Sequence, residues 1–442
     1  MKRKKLFLLS LLAILSMLIS NCAPGPQAPS TEVATEAPTA DKAVLNIVLS
    51  SYWQEDWWKR ILDGFSSEHP EISIEYWFGS DWTEYTQTKI SAGEPPDLFW
   101  LTRYEWIDNG LVMDLTDALQ TPPYGASEGT WQDTFYTHPG PIKYKDRYWT
   151  VPWDLSIDGY IWYNVEMFEE YGKLPPKTWD ELIQLCEFFK SKDIACFAQS
   201  NDSLYTNQWF RMLAQRIAGM EKIRATGSAE RVEGNKWTDP EFLKAAEMAQ
   251  NVAKSGYFIS GYEGLDYHSA QVEFIQGRAA MMLLGNWLAG EMAEIAPPEL
   301  KLDYVLFPQV SDGKGDPTVQ ITGTSDLILS ATTKYPEELI LFTKYLTSLK
   351  ATTMMAEDSN LLYGTKGSTP EDKLTTFDKK TFQIMAELED SFDWYAPPDF
   401  TPTFEMGDYM FNNTVSLMQL QITPQEFLQK LEEQMAEWVK SQ

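Results

Sequence analysis

Cysteine and histidine are scarce, with three of each in 442 residues. His69, His138 and His268 stand far apart in unlike contexts, so a metal centre such as zinc has no ligand set to draw on, and no cofactor is expected. Basic residues are outnumbered: 36 Lys and Arg against 64 Asp and Glu give a formal net charge of −28. Nucleic acid and anionic lipid attract proteins mainly through Lys and Arg, so both are excluded as principal partners. The acidic balance does not by itself make the ligand a cation, because acidic surface mostly keeps secreted proteins soluble. No apolar run reaches the ~20 residues that span a bilayer as a helix. A P-loop, an HExxH pair and a Rossmann glycine fingerprint are all missing. Asp154 and Asp158 lie close together, but with 64 carboxylates such a pair always turns up, so it does not point to a glycosidase.

What is present begins at the N-terminus. Lys2, Arg3, Lys4 and Lys5 precede the apolar run Leu6 to Ile19 and then Ser20, Asn21 and Cys22, the layout of a secretory signal. Leu18-Ile19-Ser20-Asn21-Cys22 resembles the bacterial lipobox, whose cysteine is acylated and becomes the mature N-terminus; Asn21 stands where Gly, Ala or Ser is usual. The expectation is a lipoprotein signal over 1–22 with lipid attached at Cys22, each buried CH₂ adding about 0.8 kcal/mol of membrane affinity. An ordinary secretory signal with an incidental cysteine is the alternative. Residues 23–43, rich in Pro, Ala, Thr and Ser, cannot bury enough apolar surface to offset their ordering entropy and read as a flexible tether.

The two other cysteines, Cys186 and Cys196, both fall in apolar surroundings. In an exported chain they form either a disulfide or two buried thiols.

The remaining ~400 residues exceed one small core, so two or three domains are expected. Ala43 to Leu49 reads as a strand, and Trp58, Ile61, Leu62 and Phe65 recur at i, i+3, i+4 and i+7 to define one face of a helix. A second strand runs through Ile72, Ile74 and Tyr76, a helix ends near Gly93, and Pro95-Pro96-Asp97-Leu98-Phe99-Trp100-Leu101 supplies a third strand. Alternating strands and helices imply an α/β fold with a largely parallel sheet. Tyr160 to Asn164 reads as a strand buried on both faces, and Thr178 with Glu181 forms a capping box for a helix running to about Ser191. Ala279 to Leu284 is a buried strand, Gly285-Asn286-Trp287 turns out of it, and Pro336 to Leu346 is helical.

FSSEHPEISIEY, SAGEPPDLFWL, NGLVMDLTDAL, YKDRYWTVPWDLSIDGYIWYN, LPPKTWDEL, FIQGRAAMMLLGNW and PEELILFTKYLTS occur in an order and spacing that resembles extracellular solute-binding proteins of the maltose-binding-like group. That family delivers ligands to ABC importers. The resemblance covers nearly all of the chain after the tether. It implies a two-lobed periplasmic-binding-protein fold with interleaved lobes, a hinge and a central cleft. Carried onto this chain, the first lobe is 44–152 plus 303–348 and the second is 153–302 plus 349–442. It also implies docking on ABC permease subunits; with the lipobox-like stretch at Cys22, the expected protein is a monomer that works outside the cytoplasm, anchored by lipid to the outer face of the cytoplasmic membrane.

Sugars present apolar faces and rings of hydroxyls, and 17 Trp and 21 Tyr offer stacking surfaces. Trp58 belongs to the helix core stripe. Trp53, Glu55 and Trp57 precede that stripe at a strand-to-helix turn, where ligand contact and surface packing are both open. Asp81 and Trp82 follow the second strand, with contact and surface packing both open, while Trp100 and Arg103 stand at the end of the third, where an ordinary surface ion pair is as open for Arg103 as a ligand contact. The Gly285-Asn286-Trp287 turn resembles the family position whose aromatic stacks on sugar, making Trp287 the first candidate, with Asn286 beside it. Trp153 and Asp154 stand at the expected lobe crossing, Asp158 is open between turn formation and ligand contact, Gly323 and Thr324 stand where the resemblance implies backbone amides near the ligand, with a plain turn equally open, and Trp394 and Tyr409 lie in a loop-rich region near the end. The expected ligand is a mono- or oligosaccharide and the chain is read as no enzyme. A polyamine or other solute binder is the alternative, and a secreted carbohydrate-active enzyme or lectin is the competing class.

Overall fold

A computed structural model describes residues 42–51, 54–79, 81–100, 104–136, 140–229, 231–293, 295–359, 361–387, 391–393 and 399–441. The signal, most of the tether and Cys22 lie outside them. The strands in chain order are β1 (Ala43–Ser50), β2 (Ile72–Gly79), β3 (Leu98–Trp100), β4 (Lys143–Tyr144), β5 (Arg147–Tyr148), β6 (Val151–Pro152), β7 (Ser156–Asp158), β8 (Tyr160–Asn164), β9 (Ala195–Ala198), β10 (Ala279–Leu284), β11 (Leu302–Leu306), β12 (Gln320–Gly323), β13 (Asp326–Leu329) and β14 (Ser391–Asp393).

The first lobe is built on the sheet β2-β1-β3-β13-β6. β1 runs parallel to β2 from Ala43↔Ile72 to Ser50↔Gly79, and β3 joins its other side. The helix Glu55–Glu68 covers the sheet with Trp58, Ile61, Leu62 and Phe65, the four positions its period predicts.

The second lobe is built on the sheet β11-β8-β10-β9, in which β8 runs antiparallel to both neighbours and β9 parallel to β10. All five residues of β8 are buried. Their alternation separates two cores: Ile161 and Tyr163 join one, Tyr160 and Trp162 the other. The helix Trp179–Lys190 opens with the expected capping box, Glu181 N donating to Thr178 Oγ1 at 3.3 Å and Thr178 N to the Glu181 carboxylate at 3.0 Å. Cys186 on this helix and Cys196 on β9 form a disulfide, with Cα atoms 4.9 Å apart.

The lobe boundaries differ from expectation in two places. β11 was expected in the first lobe, yet it pairs with β8 from Leu302↔Asn164 to Leu306↔Tyr160, so 303–319 belong to the second. Residues from 349 onward were expected in the second lobe, yet the helix Leu349–Ser359 packs on the helices Glu55–Glu68 and Pro336–Leu346, and Ala351, Met355 and Tyr363 enter the first core. The first lobe is therefore about 43–153 plus 326–365, and the second about 156–322 plus 376–441. Alternation says which face of a strand is buried, not which strand lies beside it.

Between the lobes the chain crosses three times. β6 pairs with β13 in the first lobe and β7 with β12 in the second, so 151–158 and 320–329 form one antiparallel ribbon through both. The third crossing joins it where Leu155 N donates to Leu362 O at 3.0 Å and Gly364 N to Trp153 O at 2.9 Å. No helix among the described residues is long and apolar enough to cross a membrane.

Candidate ligand site at the lobe crossings

Sheet direction fixes where a ligand site can form. β13 begins at the second crossing and runs antiparallel to β3, with Leu327 opposite Trp100 and Leu329 opposite Leu98. The carboxyl ends of β1, β2 and β3 therefore lie at the crossing edge. In the second lobe β8 begins just past the first crossing, and Tyr160 stands opposite Leu284, the last residue of β10. The carboxyl ends of β9 and β10 thus reach the same edge, and open α/β sheets bind ligands outside such ends.

Asp154 sits in the first crossing and accepts hydrogen bonds from Ser325 in the second, from its amide at 2.5 Å and its hydroxyl at 2.9 Å. Burial pushes the Asp154 carboxyl up to about 6, a rise that the two Ser325 bonds moderate. Ser156 Oγ donates to Gly323 O at 2.7 Å, and the Thr324 hydroxyl bonds the Asp326 carboxylate. Asp154, Gly323 and Thr324 are thus engaged in the crossing. Asp158 is buried, accepting from Gly159 N at 2.9 Å and from Gln208 Nε2 at 2.6 Å; burial lifts its carboxyl to about 7 against the pull of Arg211.

The turn after β10 carries the aromatic candidate. Trp162 Nε1 donates to Gly285 O at 2.8 Å, and the Trp287 ring folds over Gly285, where a Cβ would stand 2.0 Å from it. Only glycine fits there. The Trp287 indole N–H bonds the Tyr267 hydroxyl, which donates in turn to Glu291 at 2.6 Å; Gln271 donates to the same carboxylate at 2.8 Å. Tyr205 stacks on Tyr267 with centroids 4.2 Å apart and planes at 14°, and lies 6.2 Å from Trp287. The three half-buried rings form one aromatic platform beside the crossings. Sequence reading missed Tyr205, Tyr267 and Glu291, which come from separate segments with no shared spacing.

Several first-lobe candidates are corrected. Trp153 and Trp100 are enclosed at 0% and 2% exposure, leaving no face for a ligand. Trp153 stacks on Trp58 at 5.2 Å and 16°, Trp100 meets both edge-on, and its indole N–H reaches back to Val48 O at 2.6 Å. Trp82 is also buried in this core. Glu55 is half-buried, accepting from the Tyr76 hydroxyl at 3.1 Å and pairing with Lys59; Trp57 packs half-buried on the core and Asp81 is exposed. Tyr409, half-buried, packs on the second-lobe core. Trp53, Arg103 and Trp394 lie outside the described residues.

Two features stand apart from the crossings. Gly125-Ala126-Ser127-Glu128-Gly129 fits the Gly-x-Ser-x-Gly pattern by letter, but it is an exposed loop rather than the strand-to-helix elbow that arms such a serine. A shallow hollow of about 460 Å³ lined by Trp179, Lys244, Met248 and Pro424 lies between the helix Pro240–Lys254 and the start of the helix Pro424–Ser441.

Two α/β lobes joined by a ribbon of crossings, with strand ends and an aromatic platform at the join, define a two-lobed binding protein. The model of the bacterial extracellular solute-binding protein family matches residues 49–353, and the chain belongs to that family. Among curated relatives it is similar to the multiple sugar-binding protein of Streptococcus mutans serotype c, 26% identical over 367 residues, covering 79% of each chain. A structure from work on xylan utilization by the thermophilic bacterium Caldanaerobius polysaccharolyticus is 25% identical with a TM-score of 0.76, covering 88% of this chain and 99% of that one. A chitin oligosaccharide binding protein superimposes with a TM-score of 0.75 at 20% identity, over 90% of this chain and 99% of that one.

Proposed function

We propose that this chain is the substrate-binding component of an ABC importer. It captures a mono- or oligosaccharide between its lobes and passes it unchanged to a membrane permease. The observation that carries the reading is the platform of Trp287, Tyr267 and Tyr205 at the carboxyl strand ends beside the crossings. With the Trp287 N–H and Tyr267 O–H spent on internal bonds, the platform offers a ligand mainly carbon faces, which suits the C–H faces of a pyranose. Family membership and the sugar-binding relative in Streptococcus mutans support the same reading. Closure follows because a ligand touching both lobes binds the closed state better and shifts the equilibrium toward it. The protein works as a monomer, held at the outer face of the cytoplasmic membrane by lipid on Cys22.

Isothermal titration with a panel of mono- and oligosaccharides and spermidine tests it. The expected result is micromolar binding of a saccharide, about −8 kcal/mol, weakened at least about tenfold by Trp287→Ala, as loss of a stacked ring implies. Binding of spermidine with no heat from any saccharide overturns the reading.

A further inference from the structure

Asn286, between the glycine and the tryptophan of the platform turn, directs its polar groups to the first crossing. Its backbone N–H donates to Ile157 O at 3.0 Å. Its side-chain Oδ1 accepts from Ile157 N at 2.8 Å, and Nδ2 donates to Leu155 O at 3.4 Å. The side-chain amide therefore acts as an extra peptide group paired with the crossing strand. The same stretch is gripped from the first-lobe side, by Leu362 O on Leu155 N and by Ser325 on Asp154. On its other flank the turn has little slack, since Trp162 holds Gly285 O and the Trp287 ring is folded onto Gly285.

We propose that Asn286 is a positioning residue that couples the Trp287 platform to the crossing strand, so that contact at Trp287 is felt at Leu155 and Ile157 and biases lobe closure. This rests on reading the platform as a saccharide contact. A tilt of the turn toward a ligand carries Asn286 with it, and its bonds pass the movement to the segment about which the lobes rotate. The geometry asks for an amide. Aspartate keeps the acceptor for Ile157 N but sets a carboxylate oxygen against Leu155 O; alanine removes both side-chain bonds.

Hydrogen exchange of residues 153–157, read on the purified full-length protein, tests the coupling in two arms. Without ligand, Trp287→Ala accelerates exchange there when Asn286 is present and adds nothing in an Asn286→Ala background. Additive effects of the two substitutions overturn the coupling, whatever the ligand is. With the saccharide found by titration, wild-type protein gains protection at 153–157 and 323–326. Asn286→Ala keeps the tryptophan fluorescence response but loses that protection, and Kd rises about tenfold, within the usual range of coupling between sites. Asn286→Asp, which keeps the acceptor for Ile157 N and loses the donor to Leu155 O, falls between the two. Wild-type Kd and wild-type protection in Asn286→Ala also overturn the proposal. If no saccharide binds wild-type protein, the functional reading fails and the ligand-free arm still decides the coupling.

Discussion

Asp154 and Ser325, 171 positions apart in sequence, meet through two hydrogen bonds that fasten one lobe crossing to another. The carboxylate takes both donors of a single residue, so the two crossings cannot slide past each other without breaking both bonds.

Asp154→Ala strands the Ser325 amide and hydroxyl in a half-buried site. Urea unfolding is expected to show a loss of about 1–3 kcal/mol, the cost of leaving such donors unpaired. Asp154→Asn retains one acceptor and the hydroxyl can reverse its role, so its loss is smaller. Equal losses in the two variants would show that the hydrogen bonds are not the source.

The carboxyl of Asp158 titrates near 7 in the folded protein, raised by burial from an ordinary carboxylate value. A raised carboxyl binds its proton more tightly when folded, so its stabilising contribution is present below pH ~4 and is lost as pH rises through ~7. Asp158→Asn removes this dependence, and its side-chain amide can donate to Gln208 Oε1, which has no partner among the described residues. Relative to wild type the variant is expected to gain stability between pH 4.5 and 7.5, on the order of 2–4 kcal/mol. Parallel stability curves for the two proteins would refute the assignment.

The disulfide closes a short loop between the helix Trp179–Lys190 and β9. Cys186→Ser with Cys196→Ser is expected to cost about 2–3 kcal/mol, the entropy of a loop of roughly ten residues. Reductant should lower the Tm of wild-type protein and leave the double variant unmoved.

Trp153 separates a core role from a ligand role. Its indole nitrogen has no hydrogen-bond partner among the described residues, so Trp153→Phe loses packing volume but strands no polar group. A stability loss of up to about 2 kcal/mol is expected, with saccharide affinity changed by no more than about threefold, the scale of a change that touches no ligand. A large loss of affinity with unchanged stability would return Trp153 to the cleft.

Much of the fold is legible in sequence where one local pattern decides the outcome. The period of Trp58, Ile61, Leu62 and Phe65 sets a helix face, Thr178 with Glu181 starts a helix, and Ala279 to Leu284 can only be buried. The misreadings concern neighbours. β11 looks the same beside either sheet, and its pairing with β8 is a long-range choice. Trp100 ends a strand at the edge where ligands bind, yet its indole turns back under β1 to Val48. The platform shows the same limit from the other side: Trp287 stands out in a glycine turn, whereas Tyr205 and Tyr267 acquire meaning only when the helix Tyr267–Ile275 and the short helix Ser203–Thr206 after β9 are brought to it.

The interleaving of the lobes also sets the order in which the molecule can be assembled. β13 lies between β3 and β6 in the first sheet, although it follows β6 by more than 170 positions in sequence and the chain builds most of the other lobe in between. Phe427, Leu431 and Met435 from the final helix fill the second core. The first lobe therefore waits for the chain to return through about residue 365 and the second for the final helix, and non-local closure of this kind is slow. Such a protein stays short of its native state until its last helix is in hand.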